Sequence, residues 1–168
     1  MWPFGRTKTP SRNAVLRQAR GLALRGKTEE AASVLGSYCR EHPDDYAVVL
    51  NLGAVLYASG KYTPAIERFE HALKLKPDSP TVWINIGAAR NALGHVDKAM
   101  EALMKALELD PRHRDCHYNL AIAQHKKGRP LAAMAELEME LALHPDHKQA
   151  RSLVTTLRAA LLKAQGEE

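Results

Sequence analysis

Four side chains able to ligate a transition metal fall close together late in the chain. His113, Cys116 and His117 lie within five residues, and His147 follows His113 by 34. Stacked structural units would bring His147 back toward the first three, but no second cysteine completes a familiar ligand set, so no metal or other cofactor is expected. Three carboxylates alternate nearby at Glu136, Glu138 and Glu140. Alternation on a helix divides them between solvent and a packed junction, and Glu140 is expected to pair with a basic residue of the last helix, Arg151 foremost. No glycine-rich phosphate loop, nucleophile elbow or HExxH helix is present, so no catalytic residue is assigned and the chain is not expected to be an enzyme.

A second chemistry is carried by amides. Asn51, Asn85 and Asn119 recur every 34 residues. Because a carboxamide both donates and accepts, a ladder of them can hold the backbone of an extended peptide without reading its sequence. The plainer alternative is that asparagine is simply tolerated at a half-exposed repeat position.

The elements that would position these groups repeat with the same period. Prolines stand at Pro43, Pro77, Pro111 and Pro145, and glycines at Gly26, Gly60, Gly94 and Gly128. Alanines at 31, 65, 99 and 133 keep the beat, as do Leu35, Phe69, Leu103 and Leu137. A small residue recurs at Ala19, Gly53, Gly87 and Ala121. The glycine suits the left-handed residue that ends one helix, and the proline ends the next. Between them Val49, Leu52, Gly53 and Leu56 form one helical face, and Ile66, Phe69, Ala72 and Leu73 another. Each unit is therefore an antiparallel helix pair, closely packed at its small residues. Ser79–Pro80 and Thr63–Pro64 read as N-caps followed by proline at the first helical position. Helices are expected near residues 12–25, 28–41, 46–59, 62–75, 80–93, 96–109, 114–127, 130–143 and 148–164.

Composition agrees. The 168 residues include 45% apolar, 26% charged and only 5% aromatic side chains, which fits an aliphatic, soluble, all-α protein and excludes a membrane bundle. The net charge of +5 is uneven: seven cations from Arg6 to Lys27 precede the first acid, Glu29. That asymmetry fits an anionic partner or a transit peptide, but the repeat register already present in this segment, through Ala19, Gly26, Ala31 and Leu35, argues against the latter. Two cysteines suit a reducing compartment, and a cytoplasmic location is expected.

A 34-residue helix–turn–helix repeat with Leu52, Gly53, Tyr62, Ala65, Phe69, Ala72 and Pro77 in one copy, and Trp83, Ile86, Gly87, Gly94, Ala99, Ala106 and Pro111 in the next, resembles the tetratricopeptide repeat. The resemblance implies a right-handed α-solenoid divided as 1–11, a basic and aromatic tail; 12–45, a divergent repeat; 46–79, 80–113 and 114–147, three further repeats; 148–164, a capping helix; and 165–168, a short tail. The outer copies depart from the family pattern at Gln18, Tyr38, His117 and Glu140.

In this family the first helices line a concave groove that binds peptides or partner helices. Here those helices are unusual: residues 46–59 carry no charge and 80–93 carry only Arg90, so both of their faces are expected to be occupied. The groove is assigned to Leu50, Asn51, Ala54 and Tyr57, then Ile84, Asn85, Ala88 and Asn91, then Tyr118, Asn119, Ile122 and His125. The carboxylate clamp of the family's cochaperones needs Lys and Arg where this chain has Leu50, Ala54, Thr81, Asp115 and Asn119, so a ligand ending in Glu-Glu-Val-Asp is not expected. Arg17 and Arg20 are either contacts for acidic side chains at one groove end or a solvated basic face. The expected role is a scaffold or adaptor for a protein or peptide, with no nucleic acid. A secretion-type or assembly chaperone is one alternative. A peripheral membrane adaptor, touching an anionic surface weakly through Trp2, Phe4, Arg6 and Lys8, is another.

Overall fold

The computed structural model describes residues 10–166. Among these residues the chain forms nine helices and no strand: α1 (Arg12–Leu24), α2 (Thr28–Glu41), α3 (Tyr46–Ala58), α4 (Tyr62–Leu75), α5 (Pro80–Ala92), α6 (Val96–Leu109), α7 (Cys116–Lys126), α8 (Pro130–Leu143) and α9 (Lys148–Gln165). They fall into two compact units divided between His71 and Ala72, inside α4. No helix among the described residues is long and apolar enough to cross a membrane. Trp2, Phe4, Arg6 and Lys8, the expected membrane contact, lie outside the described residues.

The breaker columns act as their chemistry requires. Gly26, Gly60, Gly94 and Gly128 take φ of +75°, +74°, +79° and +70°, the left-handed turn that lets one helix end and the next start two residues later. The apolar columns form the core. Ala31, Ala65, Ala99 and Ala133 are fully buried, and so are Leu35, Phe69, Leu103 and Leu137 to within 1%.

In the first unit α1 packs on α2 and α3, and α2 on α3. Gly53 on α3 faces Phe69 so closely that a Cβ there would sit 2.5 Å from the ring, and the same column holds the buried alanines Ala19 and Ala121. In the second unit α5 packs on α6, α6 on α7, α7 on α8 and α8 on α9, with α5 also touching α7. One cluster gathers Ile84, Leu103, Ala106, Cys116 and Leu120. A second gathers Ala121, Ala133, Leu137, Ala150 and Leu157, so α9 covers the last apolar edge through Ala150 and Leu157, with Leu153 and Val154 beside them. Leu162 of the same helix stays 42% exposed.

Two local expectations are corrected. Thr63 is not an N-cap: α4 already begins at Tyr62, and Pro64 sits within its first turn, where a missing N–H costs nothing. Helix α7 starts at Cys116 rather than 114, because Asp115 takes φ +71°, a left-handed conformation that no helix can continue through.

Candidate protein-binding faces

In the first unit the expected ligand-facing side of α3 is open. Asn51, Ala54 and Tyr57 are exposed and Leu50 is half-buried. The Tyr57 ring lies 5.4 Å from that of Tyr62, tilted by 58°. Asn51 Nδ2 donates to the carbonyl of Ala47, one turn back, at 2.8 Å. That bond fixes the side chain along its own helix and leaves the carboxamide oxygen and one N–H pointing away from the backbone.

In the second unit the matching residues divide. Asn85, Ala88, Tyr118 and Ile122 are half-buried and His125 is exposed. Ile84, Asn91 and Asn119 are interior, at 5%, 3% and 8% exposure, and offer next to no surface to a ligand. Ile84 belongs to the α5–α6–α7 cluster. Asn91 Nδ2 donates to the Asn119 carbonyl at 2.9 Å, and Lys126 Nζ reaches the Asn91 carbonyl, so Asn91 ties α5 to α7. Asn119 Nδ2 returns to the Asp115 carbonyl at 2.8 Å, repeating the Asn51 geometry in a buried setting.

The metal-ligating residues noted in the sequence are separated by their partners. His113 Nε2 meets Thr81 Oγ1 at 2.9 Å, and Cys116 Sγ donates to the Leu103 carbonyl at 3.4 Å. Burial, reinforced by the Glu140, Glu136 and Asp110 carboxylates, pushes the Cys116 thiol up to about 12, so it stays a thiol. His117 Nδ1 pairs with Glu136 Oε2 at 2.8 Å. Glu138 is exposed, which completes the division expected of the three glutamates.

Glu140 corrects another expectation. Its partner is not Arg151, which donates instead to the Pro145 carbonyl. Fully buried, Glu140 accepts the backbone N–H of Asp115 at 3.0 Å and that of Tyr118 at 3.3 Å. The cap of α7 thus comes from α8, and a carboxylate suits the positive end of a helix. His147, 2% exposed, completes a clasp. Its Nδ1 accepts the Ala150 N–H at 3.2 Å and caps α9, so the ring proton is on Nε2, which donates to Asp115 Oδ1 at 2.7 Å. The Tyr118 ring stacks at 4.9 Å, and burial, aided by Asp115, raises its hydroxyl pKa.

Asp115, Glu140 and His147 bring three ligand-type atoms within 4.8 Å of one another. The donor set does not suit a metal ion. With Nδ1 engaged by a backbone amide, Nε2 bears the proton and has no lone pair to give, and both Glu140 oxygens already hold N–H groups. The cluster clasps α7, α8 and α9. The sequence carried one clue to it: Asp45, Ser79, His113 and His147 share one 34-residue column, and Asp45 and His147, the residues just before α3 and α9, both cap through their side chains.

Comparison with known proteins fits this arrangement. Family models for the TPR repeat match residues 53–94 and 87–128, and a tetratricopeptide repeat model matches 13–45. A search of curated protein sequences returned no match. Among solved structures, a thermophilic TPR protein of Thermus thermophilus is similar at TM-score 0.80 and 21% identity, over 94% of this chain and 84% of that one. MamA of Desulfovibrio magneticus gives 0.69 and 18%, over 92% and 93%. The Arabidopsis OM64 TPR domain gives 0.62 and 24%, over 68% and 94%. At such identities these likenesses speak to fold alone, but together with the family models, which span residues 13–45 and 53–128, they place the chain: it belongs to the tetratricopeptide repeat family.

Proposed function

We propose that this protein is a non-enzymatic scaffold of the cytoplasm that binds a peptide or protein segment on the open faces of its first helices. The observation that carries this reading is α3. It has no charged residue, yet Asn51, Ala54, Tyr57 and Ala58 lie exposed along it. A helix face left to water is normally charged, and uncharged, partly aromatic surface is the composition of contact surface. In the second unit Asn85, Ala88, Tyr118 and Ile122 are residues of the same type. Apolar contacts from Leu50 and Tyr57 in the first unit and from Tyr118 in the second would supply affinity, and the amides of Asn51 and of Asn85 would each engage a ligand backbone. The two buried free thiols, Cys39 and Cys116, fit a reducing compartment.

The test is an affinity capture from native lysate with wild type and a Tyr57→Ala, Asn51→Ala, Asn85→Ala variant, both shown to be folded by circular dichroism. Asn119 is left intact because a buried residue would report folding instead of contact. A client held by wild type and lost by the variant supports the reading; equal capture overturns it.

A further inference from the structure

Helix α9 covers the last core cluster with only part of its apolar surface. Leu157, Ala160, Leu161 and Ala164, spaced i, i+3, i+4 and i+7, form one wall of a recess of about 300 Å³ whose other wall is His125, Gly128 and Pro130 at the α7–α8 turn. Leu157 is its most buried residue at 2% exposure, whereas Ala160 and Ala164 on the same stripe are exposed. An apolar recess open to solvent leaves burial unfinished.

The rim is mainly basic. Helix α9 contains Lys148, Arg151, Arg158 and Lys163 and no acid. At about 3.6 residues per turn, Arg158 and Lys163 flank the 157–164 stripe on its two sides. The facing turn adds Lys126, Lys127 and Arg129. Lys127 is paired with Asp97, whose carboxyl Arg129 also holds down, and Lys126 with the Asn91 carbonyl, whereas Arg158 and Lys163 have no ion-pair partner among the described residues.

We propose that this recess docks an acidic amphipathic segment of a partner protein, which seats an apolar side chain between α9 and the α7–α8 turn and sets carboxylates against Arg158 and Lys163. Charge complementarity selects that occupant. A second copy docking through the same patch would oppose basic rim to basic rim. A concave recess fits a protruding side chain better than the flat face of a bilayer. The surface is independent of the amide-bearing faces of α3 and α5, so either assignment can fail alone.

The experiment uses the full chain and a fluorescent peptide of about 16 residues with leucines at i, i+3, i+4 and i+7 and glutamates between them. Its controls are a scrambled peptide and one with lysine for glutamate. The glutamate peptide is expected to bind, more weakly as salt is raised, and an Arg158→Glu, Lys163→Glu variant is expected to lower its affinity by about tenfold or more. Both positions are exposed, so the variant folds, and Ala160→Glu provides an independent block of the recess. The Asn51→Ala, Asn85→Ala pair should leave this binding unchanged. Absent binding of the glutamate peptide, equal binding of the scrambled or lysine peptide, or indifference to both recess variants overturns the proposal. So does retention of the chain by phosphatidylserine vesicles that the charge variant abolishes without peptide binding, which reassigns the patch to lipid. A dimer in sedimentation that Ala160→Glu dissociates, again without peptide binding, reassigns it to a second copy.

Discussion

The Glu140 carboxylate accepts the backbone N–H of Asp115 at 3.0 Å, from one helix to the start of another 25 residues earlier. It stands in a column whose counterparts include the packing alanines Ala72 and Ala106. Fully buried, it exchanges apolar contact for a cap, and it is accommodated because its second oxygen accepts the Tyr118 N–H.

Glu140→Ala should therefore destabilise the protein by roughly 2–4 kcal/mol, since two helix-start N–H groups lose their acceptor in a buried setting. Glu140→Gln keeps one acceptor and should cost less. Arg151→Ala should stay within about 0.5 kcal/mol, as an exposed substitution away from the clasp. In urea unfolding, a double-mutant cycle should find coupling of more than about 0.5 kcal/mol between Glu140 and His147 and none between Glu140 and Arg151. The reverse order would refute the clasp.

Asn91 and Asn51 separate tie from contact. Asn91→Ala removes the buried bond to the Asn119 carbonyl and should cost about 1–2 kcal/mol, leaving α5 and α7 less firmly joined. Asn51→Ala removes only an exposed bond within its own helix and should cost no more than about 0.5 kcal/mol. Equal shifts in thermal midpoint would mean that both residues do the same work.

Periodicity made the helices legible because the breakers and the core share one beat: a glycine that must be left-handed at 60 and a ring at 69 that must meet a small residue at 53 constrain the chain from residue types alone. The ligand-facing side was legible only by helix face, and a face does not determine depth. Asn51 and Asn119 occupy the same column and make the same backward bond, yet one is exposed and the other buried, because surroundings contributed by other helices decide it. The clasp was hidden for a related reason. A carboxylate is expected to seek a cation, and nothing in the local sequence says that the start of the preceding helix will supply N–H groups first.

The cysteines should be silent until the chain opens. Burial raises both thiols, with Cys116 at about 12, so native protein at pH 8 should react with a disulfide reagent far more slowly than a free thiol, Cys116 slowest of all. Unfolded protein should titrate two thiols at once. Because the folded pKa lies above the unfolded value of 9.0, the proton-linked stabilisation is complete below pH about 9 and is lost as pH rises toward 12. Cys116→Ala should flatten that alkaline decline in stability.

On the acid side the sign reverses. The Arg114 hydrogen bond at 3.0 Å holds the Asp146 carboxyl below its usual value of 3.8. Whatever the pair contributes is therefore present above that value and lost as pH falls through the folded one. The pair is exposed, so salt should weaken it. Carboxyl chemical shifts should give Asp146 a lower midpoint in wild type than in Arg114→Ala; identical midpoints would show that the pair does not form in solution.

Two glycines inside helices should respond to the same substitution with opposite sign. Gly21 on α1 has nothing within 4 Å of where a Cβ would stand, whereas a Cβ on Gly53 would lie 2.5 Å from Phe69 Cε1. Alanine gains up to about 1 kcal/mol over glycine in a helix interior. At position 21 that gain stands alone, so Gly21→Ala should raise the thermal midpoint. At position 53 the methyl group must displace a fully buried ring, and overpacking of about 1–3 kcal/mol outweighs the gain. Gly53→Ala should lower the midpoint, and Phe69→Leu in the same chain should recover part of the loss, because a smaller side chain relieves the collision. A stabilising Gly53→Ala, or no rescue by Phe69→Leu, would mean that α3 and α4 are not held together by the approach of Gly53 to Phe69.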